Sequence, residues 1–346
     1  MASPNKEIKE LENSILNDTF KLPISIMRIN MKKLIIILLC LCLISCKSVE
    51  LKKDSDSPIY TVFNTKVENE NNIAYLDSTF DGDSIGYSIL NHQGEVETGI
   101  VYQLDDNCLE KFINIANYIN RDMQYNLLVF VNYKQVTFKV EDKENDVFSA
   151  FIQKNSALQI PVKIDSLAPG FNDILFLIVP DANHISNIDA GGFHGEILSL
   201  RCNAILGTDD MLSRPNSLKL TTINETRHSM SILDKNNNEF FDFNSCNLSI
   251  NTEKQLFMCI RNETSHDEDF VLILLDNWKQ ISLGEKDFEL VTVEPDSSGI
   301  FPVSVLFDKE GNHKLAAIAI NNPYKNYDFL SMDIESSQWT DVNISK

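Results

Sequence analysis

An internal repeat limits the fold more than anything else in the sequence. Glu110–Phe138 lies on Gln255–Leu283 without a gap, and eight of the 29 pairs are identical. Chance pairing gives about one or two. Phe112 meets Phe257, Ile115 meets Ile260, Asn117 meets Asn262 and Leu127 meets Leu272. Asn132-Tyr-Lys-Gln-Val136 then meets Asn277-Trp-Lys-Gln-Ile281. Further on, Ile160-Pro-Val162 meets Phe301-Pro-Val303 and Gly170 meets Gly311, while the offset falls from 145 to 141. Whatever this chain folds into, it forms twice, with a loop four residues shorter in the second copy.

The repeat also settles secondary structure. Leu109, Phe112, Ile113, Ala116 and Ile119 fit a helical stripe. Their partner segment, Gln255-Leu-Phe-Met-Cys-Ile260 running into Arg261-Asn-Glu-Thr-Ser-His266, makes a poor helix. Both copies therefore read as strand, loop, strand. Short runs rich in Val, Ile, Phe and Tyr fill the rest, such as Leu127-Leu-Val-Phe-Val131 and Leu158-Gln-Ile-Pro-Val-Lys-Ile164. Ile174-Leu-Phe-Leu-Ile-Val179 is continuous rather than alternating and suits a central, packed strand. Pro161 and Pro302 cannot donate to a ladder and mark an edge or a strand start. Gly170 and Gly311 open a turn that needs a positive φ.

The expected fold is all-β: two tandem immunoglobulin-like β-sandwich domains, residues 59–206 and 217–346, each with about seven strands. The boundary falls in Gly207–Ser217, rich in turn formers. The architecture resembles the tandem Ig-like modules of bacterial envelope proteins. Two copies are too few for a solenoid, so the domains are expected as beads on a string.

The N-terminal region carries an address. Lys32 and Lys33 precede an apolar run, Leu34–Ile44, too short to span a bilayer as a helix. The run closes with Leu43-Ile-Ser-Cys46. This resembles the bacterial lipoprotein signal, whose lipobox places a small residue before an obligatory Cys. The resemblance implies a signal peptide over residues 1–45, with the start at Met31 and residues 1–30 an artefact of annotation. It implies lipid attachment at Cys46: diacylglycerol on the thiol, fatty acid such as palmitate, and cleavage before it. Two acyl chains hold stably where one is marginal, each buried methylene contributing about 0.8 kcal/mol. Residues 46–58 then form a lipidated tether, and the body sits outside the cytoplasm on the cell membrane or outer membrane.

Net charge is −20. Removing residues 1–45, with six basic and four acidic side chains, leaves 24 basic against 46 acidic, a net of −22. That excess argues against nucleic acid and against adhesion to anionic lipid by charge. Besides Cys46, the cysteines left are Cys108, Cys202, Cys246 and Cys259. The domain division favours Cys108–Cys202 and Cys246–Cys259 as disulfides, with buried thiols the competing reading.

Candidate sites are few. Asp181, His184, Asp189 and His194 cluster around Gly191-Gly192 but match no metal-ligand spacing, and a solvated loop is expected. Asp77, Asp81 and Asp83 resemble a loose calcium loop. Asp234-Lys-Asn-Asn-Asn-Glu239 begins like an EF-hand but has Glu239 where Gly is required and Ser245 where Glu is required, and reads as a hairpin turn. Tyr133 and Trp278 hold matching places and read as strand-end core aromatics rather than as a platform for a sugar or peptide. No motif for nucleophilic, metal or phosphate chemistry occurs.

The expectation is a non-enzymatic binding or spacer module in the cell envelope, with a protein or glycan partner, no cofactor and no metal. A secreted enzyme or accessory subunit with a site at the sandwich loops is the alternative, and a solute-binding lipoprotein of a transporter is another. The last needs α/β lobes, and helical periodicity is scarce.

Overall fold

This computed structural model describes residues 84–97, 101–154, 156–182, 197–208, 214–223, 230–234, 246–324, 334–337 and 339–346, all within one compact unit, Val62–Lys346. The signal, Cys46, the tether, the Asp77–Asp83 loop and all of the His184–His194 and Lys235–Ser245 segments lie outside the described residues.

Every regular element described is a strand. The first half carries β1 (Ile85–Leu90), β2 (Val101–Leu104), β3 (Leu109–Asn117), β4 (Met123–Val131), β5 (Lys134–Gln135), β6 (Phe138–Val140), β7 (Lys143–Asn145), β8 (Phe148–Ile152), β9 (Ser156–Ile164), β10 (Gly170–Pro180) and β11 (Leu198–Leu206). The second carries β12 (Leu218–Lys219), β13 (Thr221–Ile223), β14 (Met230–Leu233), β15 (Cys246–Ser249), β16 (Thr252–Asn262), β17 (Glu268–Asp276), β18 (Lys279–Ile281), β19 (Glu289–Val293), β20 (Ser297–Phe307), β21 (Gly311–Asn321), β22 (Ile334–Ser336) and β23 (Thr340–Ser345). The helical stripe at 109–119 is overridden, as the repeat requires, because β3 pairs with β1 on one side and β9 on the other.

The strands form four sheets. Sheet 1 runs β1-β3-β9-β6-β7, and sheet 2 runs β2-β11-β10-β4-β5 with β8 also on β4. Sheet 3 runs β12-β19-β17-β21-β23-β15, with β18 on β17 and β22 on β21. Sheet 4 runs β13-β20-β16-β14. The order β1-β3-β9 recurs as β14-β16-β20, and β2-β11-β10-β4-β8 recurs as β15-β23-β21-β17-β19.

Matching positions adopt matching roles. Val131 faces Ile174 in the first half, and Asp276 faces Leu315 in the second, a register kept across the repeat. Asn117 Nδ2 donates to the carbonyls of Arg121 and Ile152, and its Oδ1 accepts from Ile119 N. Asn262 repeats this with His266, Val293 and Thr264. Gly170 and Gly311 take the positive φ expected, 88° and 123°. Pro161 and Pro302 lie within strands, not at their start. Each sits where the second edge has no partner among the described residues: β6 meets β9 only at Lys163, and β13 reaches only Ser298–Ile300.

Sheets 3 and 4 enclose a core of Leu256, Met258 and Ile260 against Phe270, Leu272 and Leu274. Sheets 1 and 2 meet through β1–β11 and β8–β9. Sheets 2 and 3 pack on each other through a further core. The beads-on-a-string expectation is therefore overturned. Every residue of β10 is buried, and so is most of β21, because the middle sheets are covered on both faces.

Candidate functional site

The contact between the halves joins apolar and polar groups, and it is made of repeat equivalents. Sheet 2 contributes Leu128, Phe130, Leu175, Leu177 and Val179. Sheet 3 contributes Ile273, Leu275, Ala316, Ile318 and Ile320, the same positions one repeat on. Tyr133 and Trp278 join them, also as equivalents. A contact in which the same face is used by both partners is isologous, the geometry of a two-fold dimer.

Hydrogen bonds follow the same reciprocity. Gln135 N donates to Gln280 Oε1 at 2.7 Å, and Gln280 N donates to Gln135 Oε1 at 2.6 Å. Gln135 Nε2 donates to Trp278 O and Gln280 Nε2 to Tyr133 O, each at 3.0 Å. The same amides reach Asp146 O and Asp287 O within their own halves. Lys134 pairs with Asp287 at 2.9 Å and Lys279 with Asp146 at 3.6 Å. Both hairpins that present these groups turn through left-handed residues: Asn132 at 51°, Tyr133 at 69°, Asn277 at 49° and Trp278 at 64°. An aromatic residue in that region costs about 1–2 kcal/mol, which burial of its ring in the shared core offsets.

The symmetry breaks at one buried ion pair. Arg201 on β11 holds Asp173 on β10 through two bonds, Nε to Oδ1 at 2.9 Å and Nη2 to Oδ2 at 2.6 Å. Its Nη1 donates to Asn321 O at 2.7 Å and Nη2 to Asn322 O at 3.2 Å, both in the second half. Tyr133 donates to Asp173 Oδ2 at 2.8 Å, and its hydroxyl accepts from Tyr324 N at 2.7 Å. Burial, then the Asp173 charge, drives the Tyr133 phenol far above the ordinary tyrosine range. Held as a donor between fixed partners, it cannot serve as a base. In the second half the strand position of Asp173 is Lys314, which pairs with Asp341 at 2.8 Å. There Trp278 and Trp339 meet edge to face, ring centres 5.3 Å apart. A guanidinium with both carboxylate oxygens and two carbonyls satisfied has a locking role.

Of the residues singled out from the sequence, Tyr133 and Trp278 are buried at 2% and 5% exposure, which makes them core. Asp181, the one described member of its loop cluster, pairs with Arg121 at 2.8 Å. The Cys108–Cys202 disulfide is not formed: both are thiols, Cys108 just before β3 of sheet 1 and Cys202 buried on β11 in sheet 2. Burial pushes both thiols up. Cys259 is buried on β16, and the Cys246 side chain lies outside the described residues.

Arg201, Asp173 and the glutamine pair were missed. Two signals could have found them. Asp173 interrupts an apolar strand and Arg201 interrupts another, and opposite charges in neighbouring buried strands must meet. Gln135 and Gln280 stand in the best-matched run of the repeat. Away from this contact, Glu335 Oε2 on β22 is buried and accepts no hydrogen bond among the described residues. Burial, then the charges of Glu263 and Glu268, push its carboxyl up to about 7.

No protein-family model matches this chain, and no curated protein does. Solved structures resemble it loosely. One is the CARDB domain of a Pyrococcus furiosus protein, at 10% identity over 34% of this chain and 92% of that one, with a TM-score of 0.25. The same domain in complex with di-metal ions gives 11% identity over 39% of this chain and 97% of that one, with a TM-score of 0.26. Red sea bream transglutaminase matches at 11% identity over 76% of this chain and 31% of that one, with a TM-score of 0.22. None of these likenesses bears on activity or ligand.

Proposed function

We propose that this is a lipid-anchored, extracytoplasmic protein of the cell envelope. In this reading residues 1–45 are the signal peptide, Cys46 carries the lipid and residues 46–58 are the tether. Residues 59–206 and 217–346 are two immunoglobulin-like domains that act together as a non-catalytic binding or spacer module for a protein or glycan partner. The observation that carries the anchor is the run from Lys32 to Cys46 closing on Leu43-Ile-Ser-Cys46. The immunoglobulin-like reading draws support from strand order. Sheet 1 matches an A-B-E series and sheet 2 an A′-G-F-C series, with β2 parallel to β11; β15 runs parallel to β23 in the second half. The spacer reading draws support from the shared core, which makes the halves one body instead of two hinged ones.

Labelled palmitate fed to cells expressing the chain is expected to enter the wild type and not Cys46→Ser. Mass spectrometry is expected to find a diacylated Cys46 at the mature N-terminus. An unlabelled wild type, or cleavage elsewhere, removes the anchor from the proposal.

A further inference from the structure

We infer that the contact between sheets 2 and 3 is a closed two-fold dimer interface carried within one chain, and that the sheet 2 face fits the same face of a second copy whenever its internal mate is held off. The inference stands on the geometry of the contact and does not depend on the lipid anchor.

An isologous face is complementary to itself. What the first half needs in order to meet another first half is already present on it. Gln135 reaches the backbone N–H and the side-chain oxygen of its equivalent, Gln280, and Gln280 does the same in return. Two copies of Gln135 can exchange the same bonds. Lys134 pairs with Asp287, whose equivalent is Asp146 in the first half, and Asp146 already accepts the equivalent lysine, Lys279. Arg201 reaches across to main-chain carbonyls of Asn321 and Asn322. The matching positions, Pro180 and Asp181, also offer carbonyls. The apolar members are aliphatic or aromatic on both sides. In the wild type each face is occupied by the other, so neither is open to a second copy. The partner that fits an uncovered sheet 2 face is thus another copy of this chain, through two Gln135 residues on the axis and Lys134 facing Asp146 twice.

The test places a charge on the sheet 3 face alone. Ile318 is fully buried in the shared core and lies outside the core between sheets 3 and 4. Ile318→Glu is made in the mature chain with Cys46→Ser, which keeps every residue of the body. Light scattering is expected to show one chain for the parent and two chains for Ile318→Glu. Zero-length carbodiimide coupling of a mixed light and 15N-labelled sample is expected to join Lys134 of one chain to Asp146 of the other. Adding Leu177→Glu, the equivalent change on sheet 2, is expected to return the mass to one chain. Ala316→Lys, on the same face, serves if Ile318→Glu does not fold. A parent that is already dimeric, a folded monomer from either variant, or aggregation with no defined dimer and no Lys134–Asp146 product overturns the inference.

Discussion

Arg201 and Asp173 show how one side chain can hold two halves together. Both are almost wholly buried, and each satisfies the other's charge. Replacing Arg201 with Met leaves the Asp173 carboxylate uncompensated and frees two carbonyls of the second half. The expected loss is about 3–5 kcal/mol, read as a fall in the urea midpoint. Arg201→Met combined with Asp173→Leu is expected to recover most of it, since a matched apolar pair carries no orphan charge. Glu335 is the opposite case, a carboxyl raised to about 7 from an ordinary 4.5 by burial and by Glu263 and Glu268. The folded state therefore holds its proton to higher pH than the unfolded state does. Below about 4.5 both states are protonated and the group makes no difference; as pH rises toward 7 the folded state loses stability relative to the unfolded one. Glu335→Gln removes this penalty. Because solvent still reaches the group, the gain at pH 7.5 is expected to be about 1–2 kcal/mol and to vanish near pH 4.5, measured by urea unfolding at both.

At the scale of strands, the repeat makes paired predictions. Asn117 and Asn262 tie equivalent turns with equivalent bonds, so Asn117→Ala and Asn262→Ala are expected to cost about the same, about 1–3 kcal/mol each. Unequal losses in urea unfolding would show that the two turns are not alike. Gly299 occupies the position of Leu158, and Leu220 fills the space instead: a Cβ on Gly299 would lie 2.8 Å from Leu220 Cβ. Gly299→Ala is expected to cost about 1–3 kcal/mol by overpacking, and the cost is expected to shrink in Leu220→Ala, since neighbours couple. Strand identity was legible because Gln255–Ile260 ruled out the helix that Leu109–Ile119 allowed. The meeting of the halves was written in the same residues but not read. Leu127–Val131, Ile174–Val179, Leu272–Leu275 and Leu315–Ile320 are apolar without alternation. A strand with one wet face alternates, so four unbroken runs require four strands covered on both sides. One sandwich per half cannot supply that cover. The Gln135–Gln280 clasp was legible only in part: the repeat marks both residues, but nothing in a turn glutamine says that it meets its own equivalent.

For the whole molecule, the shared core decides how the chain comes apart. Beads on a string melt separately, each at its own temperature. Here sheets 2 and 3 each lend one face to their own half and the other to the contact between halves. Burying one large apolar side chain contributes about 1.5–3 kcal/mol. Nine such side chains and the small Ala316, five residues from each sheet, line this contact. If one half unfolds, the other is left with this face open to water and loses that contribution. Calorimetry of the anchor-free body is expected to give a single transition, with the calorimetric enthalpy equal to the van't Hoff enthalpy of the whole body. Ile318→Glu is expected to split it, because the two halves no longer support one another. Two resolved transitions in the wild type would mean that the halves are independent, and a single one in Ile318→Glu would mean that their coupling runs through something other than this face.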